Sequence, residues 1–367
     1  MNWSTTDLRK LILLTAALMA IEAATPTYPG AKWESVQSPE SVGFSSARLN
    51  VLRAWLKVNS TTAMHISVGG RTVFEYGDLS KSTKVASVRK SILALMFGKY
   101  VAEGKVDLNQ TVVELGLNDV QPFLDIEKEA TLLHLLTARS GIYHDSSNQE
   151  LMALSPRRGT QEPGTYFQYQ NWDFDAAGTA FEKLSAKNIF DAVGSDLAIP
   201  IGMQDYDRKL QRRNSALPAS VHSEYAMYLS TRDLARIGLL MLRKGEWGGK
   251  QIIPKGWTTR ITTLITPQNE IHPRTISSTT GPGRWGYGML WWVWDGGGMP
   301  GNITTGPYAG AYMAAGAGGQ YITVLPAVDV VVTHKVHTMD DGDARPLSLE
   351  EFSAILEMIL SANCSKC

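Results

Sequence analysis

The chain has 367 residues, 44% hydrophobic and 19% charged, the balance expected of a soluble globular protein. Lys plus Arg and Asp plus Glu both total 35, so the formal net charge is zero and no electrostatic case exists for a nucleic acid or acidic membrane partner. The length exceeds what one simple core needs and points to one large domain or two interlocked ones.

The N-terminus, residues 1–24, reads as a secretory signal. Arg9 and Lys10 precede an apolar run from Leu11 to Ile21, with small residues at Ala20, Ala23 and Ala24. The run is short for a membrane span, and no cysteine lies near its end to carry a lipid. The expectation is export, periplasmic or secreted, without a stable membrane anchor; an N-terminal core helix is the alternative reading.

Ser46 to Val58 then reads as an amphipathic helix, and His65 to Val68 with Thr72 to Tyr76 as a hairpin about Gly69-Gly70. Ser87 to Glu103 is helical, with Ile92, Leu93, Met96, Tyr100 and Val101 as an apolar stripe and Gly104 as a stop. To about residue 270 the pattern is mainly helical, clearest over Thr131 to Ala138, Trp172 to Ser185 and Ser230 to Arg243. The last opens on Ser230-Thr231-Arg232-Asp233, a capping-box variant. Strand-like runs follow at Tyr287 to Trp294, Tyr312 to Ala315, Tyr321 to Leu325 and Val328 to Thr333, before a closing helix from Leu347 to Leu360.

This order predicts an α+β fold. One sheet would take strands from both chain ends, residues 35–84 and 275–367, flanked by terminal helices. Residues 85–274 would form a mainly helical domain with Ser87 at its start, where a cleft between domains is favoured. The two cysteines, Cys364 and Cys367, have no second pair and no βαβ context. They read as a tail, closed by a small disulfide after export.

Ser87 and Lys90 stand at i and i+3, so a helix opening at Ser87 aims a hydroxyl and an amine at one spot. A serine hydroxyl needs a base to act as nucleophile. A lysine serves only if its pKa falls from ~10.4 towards neutrality, which costs roughly 4 kcal/mol for three units. A solvated helix face is the plain alternative. Tyr169-Gln170-Asn171 is a second polar motif, readable also as a loop tyrosine and a helix N-cap. Between two strand-like runs, Ala314-Ala315-Gly316-Ala317-Gly318-Gly319-Gln320 would let a backbone approach a ligand closely.

In this order the three elements resemble the serine β-lactamase and penicillin-recognising superfamily, whose signature includes Ser-x-x-Lys and a third Lys-Thr-Gly motif. Tyr-x-Asn points to its class C branch. Leu135 to Gly141, Pro163-Gly164-Thr165, Asn171 to Phe174, Ser230 to Arg236 and Tyr287 to Trp292 also look like this branch, so the resemblance spans roughly Ser35 to Val336. It implies a β-lactamase/transpeptidase-like antiparallel sheet with a helical domain and the site between them.

By resemblance, Ser87 would be the nucleophile, Lys90 its general base, and Tyr169 the group that passes a proton to the leaving group. Asn171 would hydrogen-bond Lys90 or the substrate. Backbone N–H groups of Ser87 and Ala317 would form the oxyanion hole, with Gly316 before the second. Ala314-Ala315-Gly316 replaces Lys-Thr-Gly, so two methyl groups stand where the family holds a substrate carboxylate. The pattern is similar to family VIII carboxylesterases and 6-aminohexanoate-dimer hydrolases.

The resulting expectation is a cofactor-free serine hydrolase acting through an acyl-enzyme on a small-molecule ester or amide. The alternatives are a weak class C-like β-lactamase or DD-peptidase, and a non-catalytic receptor. His144 would line the cleft or be a hydrogen-bonded loop histidine, and Trp292 would wall an apolar pocket or belong to the core. Gly281 to Gly286 matches a dinucleotide glycine pattern, but its Pro and Trp suit a turn. No Gly-x-Ser-x-Gly elbow or His-Glu-x-x-His motif occurs, and no metal site is expected.

Overall fold

Ser45 accepts a hydrogen bond from Arg48 N and starts helix α1 (Ser46–Val58), which buries Leu49, Leu52 and Leu56 at helical spacing. These positions belong to a computed structural model that describes residues 26–147, 152–274, 284–296, 306–338 and 344–363. The expected signal segment, Cys364, Cys367 and most of the glycine-rich stretch 295–310 lie outside the described residues. Among the described residues, no helix is long and apolar enough to cross a membrane.

Strands β1 (Ala63–Val68) and β2 (Arg71–Gly77) form the expected hairpin, with φ of +60° at Gly69 and +84° at Gly70. The short β3 (Thr83–Lys84) leads into α2 (Val88–Ala102). After α3 (Leu132–Leu136) and α4 (Asn171–Ser185) comes α5 (Ile189–Ala192). Next are β4 (Arg212–Ala216), β5 (Ser220–Ala226), β6 (Tyr228–Leu229), α6 (Thr231–Leu242), β7 (Glu246–Trp247), β8 (Lys250–Gln251) and α7 (Lys255–Ile261). The last third holds β9 (Trp285–Tyr287), β10 (Trp292–Trp294), β11 (Tyr312–Gly316), β12 (Gln320–Leu325), β13 (Val330–Lys335) and α8 (Leu349–Ala362).

Seven strands make one antiparallel sheet in the order β2-β1-β13-β12-β11-β10-β9. The two chain ends meet where β1 pairs with β13, Ala63 opposite Lys335, and α1 packs against α8. Strands β12 and β13 are buried along their whole length because helices cover both faces.

Three details go beyond the element order. The mainly helical 85–274 stretch also carries short ribbons, with β4 paired to β5, β7 to β8, and β6 to the preceding β3. Helix α6, inside that stretch, packs on β13, β12 and β1, so it is a layer of the sheet. A Cβ at Gly238 on α6 would clash with Val331 and stand 3.0 Å from Ile322 Cγ2, so glycine sets that close approach. Tyr287 to Trp294 is not one strand but the β9–β10 hairpin. Its turn residues Met289, Leu290 and Trp291 are as buried as strand residues, which hides the turn from hydropathy. Ser230 does cap α6 through Asp233 N, but the Asp233 carboxylate accepts from Gln204 N and Asp205 N, leaving the capping box half made.

Candidate active site

Ser87 sits at the N-cap position of α2 with helical backbone angles, φ −73° and ψ −7°, and makes no side-chain cap. A capping serine has extended angles and folds its oxygen back onto the helix; these angles leave Oγ free. Ala86 before it has φ +47°, an uncommon left-handed conformation for alanine that turns the chain sharply from β3 into the helix. Val85 N donates to Met227 O at 2.9 Å, and Ser91 Oγ donates to Leu290 O at 2.6 Å, so both sides of the motif are tied down.

Lys90 is 1% exposed. Its Nζ donates to Tyr169 Oη at 2.9 Å and to Asn171 Oδ1 at 2.7 Å, and lies 4.2 Å from the Phe174 ring centroid. Ser87 lies close enough to the Tyr169 phenol to lower its pKa. Ser87, Lys90, Tyr169 and Asn171 are therefore brought together. Asn171 is the first residue of α4 and not its cap; Gln170 Oε1 accepts from Trp172 N at 2.9 Å and releases Asn171 to meet the lysine.

Burial pushes the Tyr169 phenol up to about 12, against the neighbouring Ser87 hydroxyl and the nearby Arg89 charge, so it holds its proton at neutral pH. Its position is set by Tyr169 N donating to His272 O at 2.8 Å and by Trp292, whose ring stacks on it at 5.7 Å. Trp292 thus stands against the catalytic candidates on β10 while remaining only 8% exposed.

Strand β11 reaches the same place. A Cβ at Gly316 would stand 2.5 Å from Val85 O and 3.1 Å from Ser87 N, so only glycine brings this strand end against the serine backbone. Ala314 is buried, Ala315 half-buried, and Ala317 begins the exposed turn to β12.

His144 is set elsewhere. It is buried with Nε2 3.4 Å from Glu127 Oε2 and Nδ1 3.7 Å from Asp119 Oδ2, and packs on Phe123 and Trp172. Burial opposes its charge, but the neighbouring Asp119 and Glu127 carboxylates outweigh it and raise its pKa. A charge cluster, not the cleft wall, is what this side chain serves. Gly286 of the glycine pattern lies within β9, as a strand residue.

One group escaped the sequence reading. Arg89 is 2% exposed and donates through Nη2 to Asp175 Oδ1 at 3.0 Å, with Nε 3.4 Å from Glu224 Oε1. A signal existed: Arg89 lies inside Ser-x-x-Lys, and Asp175 is one turn beyond Asn171.

The fold has known counterparts. A Bacillus anthracis protein assigned as a 6-aminohexanoate-dimer hydrolase superposes with a TM-score of 0.62 at 19% identity, over 92% of this chain and 88% of that one. EstCE1, a hydrolase with promiscuous acyltransferase activity, gives 0.61 at 15% identity, over 87% and 98%. A penicillin-binding protein homologue from Caulobacter crescentus gives 0.61 at 15%, over 86% and 97%. These likenesses speak for the fold alone. A family model described as β-lactamase matches residues 57–351, most of the sequence, and the chain therefore belongs to the β-lactamase family.

Proposed function

We propose that this β-lactamase-family hydrolase cleaves a small ester or amide through an acyl-enzyme, with Ser87, Lys90 and Tyr169 as its catalytic set. The carrying observation is the buried Lys90, one turn from Ser87 on the same helix, whose Nζ donates to Tyr169 Oη at 2.9 Å. Ser87 Oγ attacks the carbonyl carbon as its proton passes through the Tyr169 hydroxyl to an unprotonated Lys90. The tetrahedral oxyanion rests on the N–H groups of Ser87 and Ala317, each worth about 2.7–4 kcal/mol. Tyr169 then protonates the leaving oxygen or nitrogen, the alcohol or amine departs, and water repeats the sequence on the acyl group.

The substrate reading rests on Ala314 and Ala315, which offer methyl groups where a carboxylate-binding site needs a cation and a hydroxyl. Trp292 adds an aromatic wall against Tyr169. Export after loss of residues 1–24 belongs to the same reading, and N-terminal sequencing of the mature protein tests it.

Purified protein should turn over p-nitrophenyl butyrate faster than nitrocefin, and Ser87→Ala should abolish both. A faster nitrocefin rate would replace the esterase reading by a β-lactamase or DD-peptidase. A persistent adduct without turnover would replace it by a receptor.

A further inference from the structure

Two neighbouring side chains on α2 reach two side chains one turn apart on α4. Lys90 donates to Asn171 Oδ1 at 2.7 Å, and Arg89 Nη2 donates to Asp175 Oδ1 at 3.0 Å. Asn171 and Asp175 are i and i+4, so they share a helix face. The Arg89 and Asp175 side chains are 2% and 0% exposed.

The guanidinium is held from further directions. Its Nε lies 3.4 Å from Glu224 Oε1 on β5, and its carbon is 4.4 Å from the Tyr225 ring centroid. Glu224 Oε2 lies 3.7 Å from Lys84 Nζ on β3. Ser147 Oγ donates to Asp175 Oδ2 at 2.7 Å and accepts from Glu224 N at 3.1 Å. Helix α4 and strand β5 thus hold the residue beside Lys90, while β3 and a loop brace its partners.

A solvent-free ion pair is a poor source of stability, because desolvating two charges costs about what their attraction returns. A planar fork of donors does fix direction, and it does so better than a flexible ammonium. We propose that Arg89 is a positioning residue: by clamping α2 to α4 through Asp175 and to β5 through Glu224, it holds Lys90 at the distances from Tyr169 and Asn171 that proton transfer requires. The inference rests on the hydrolase reading above.

The cluster also sets the field at Lys90. The charged and titratable groups around it are Arg89 on α2, Tyr169 before α4, Asp173 and Asp175 on α4, Glu224 and Tyr225 on β5, Lys84 on β3 and Tyr287 on β9. Arg89 and Lys84 balance Asp175 and Glu224. Removing Arg89 takes away a neighbouring positive charge, which favours the ammonium form of Lys90 and withholds the base until higher pH.

The test uses Arg89→Met, Arg89→Lys and Asp175→Asn in the full chain, each checked for folding by circular dichroism. The readouts are the rate of fluorophosphonate adduct formation at Ser87, and kcat and KM on p-nitrophenyl butyrate across pH. Arg89→Met should slow acylation about 10²-fold with KM unchanged, and move the acid limb up by about one pH unit. Arg89→Lys keeps the charge and loses the fork, so its acid limb returns towards wild type while the rate stays roughly tenfold low. Asp175→Asn should move the limb to lower pH.

A merely structural residue gives no such split. If Arg89→Met does not fold, the other two variants carry the test. Wild-type adduct rates and pH profiles in the folded variants overturn this inference alone. A wild-type protein that forms no adduct overturns the hydrolase reading and this inference with it.

Discussion

Tyr169 is held by its ring as much as by its hydroxyl, stacked on Trp292 and set edge-on to Tyr287. Tyr169→Phe therefore keeps the packing and removes only the hydroxyl proposed to carry the proton. Steady-state kinetics should show kcat lower by about 10²–10⁴-fold with little change in KM. Because burial keeps the phenol near 12, Tyr169 stays protonated through the working range. Activity should rise with pH as Lys90 loses its proton and show no Tyr169-dependent fall until strongly alkaline pH. A fall around neutral pH that disappears in Tyr169→Phe would contradict this assignment. At this scale short motifs carry their own spacing, and the fold gathers Lys90, Tyr169 and Asn171 beside Ser87. The motif position alone did not single out Arg89, whose partners Asp175 and Glu224 lie 86 residues away and farther, nor place His144 beside Asp119 and Glu127.

Two glycines separate what an element does for the site from what it does for the fold. A Cβ at Gly316 meets Val85 O and Ser87 N, backbone atoms of the site. Gly316→Ala should lower kcat about 10²-fold by displacing the oxyanion donors, while thermal denaturation shows a smaller effect. At Gly238 the clash is with Val331 and Ile322, side chains of the sheet. Gly238→Ala should instead cost about 1–3 kcal/mol of stability by overpacking and leave kcat near wild type. Among the elements, amphipathic helices and alternating strands were legible from their periods. The β9–β10 turn was not, because tertiary packing buries Met289, Leu290 and Trp291 and erases the polar signal of a turn. The β4–β5 ribbon was missed for the opposite reason: β4 is mostly exposed and carries no apolar alternation.

Across the whole molecule, Asp119, Glu127 and His144, with the half-buried Arg158, tie the segment after α2 to α4 and β5. Burial alone would raise the Glu127 carboxyl, but hydrogen bonds from His144 and Arg158 outweigh it and hold it at about 2. Its contribution to stability is present above the ordinary carboxylate pKa and is lost as pH falls towards 2. The raised His144 pKa acts the other way. Its contribution is complete below about pH 6.5 and is lost as pH rises through the raised value. Melting curves should show His144→Gln less stable than wild type by roughly 1–3 kcal/mol in weak acid, with the gap narrowing at alkaline pH. A gap that widens with pH would contradict the assignment. The joining of both chain ends in one sheet was legible from element order, whereas the docking of α6 on that sheet was not, because nothing local marks which layer a helix joins.

All of this depends on Ser87 being a nucleophile. Treating the full chain with a fluorophosphonate, digesting it and locating the added mass tests that directly. One adduct is expected, on the peptide containing Ser87, absent in Ser87→Ala and slowed in Lys90→Ala. An adduct on another residue, or ester turnover that survives in Ser87→Ala, would contradict it.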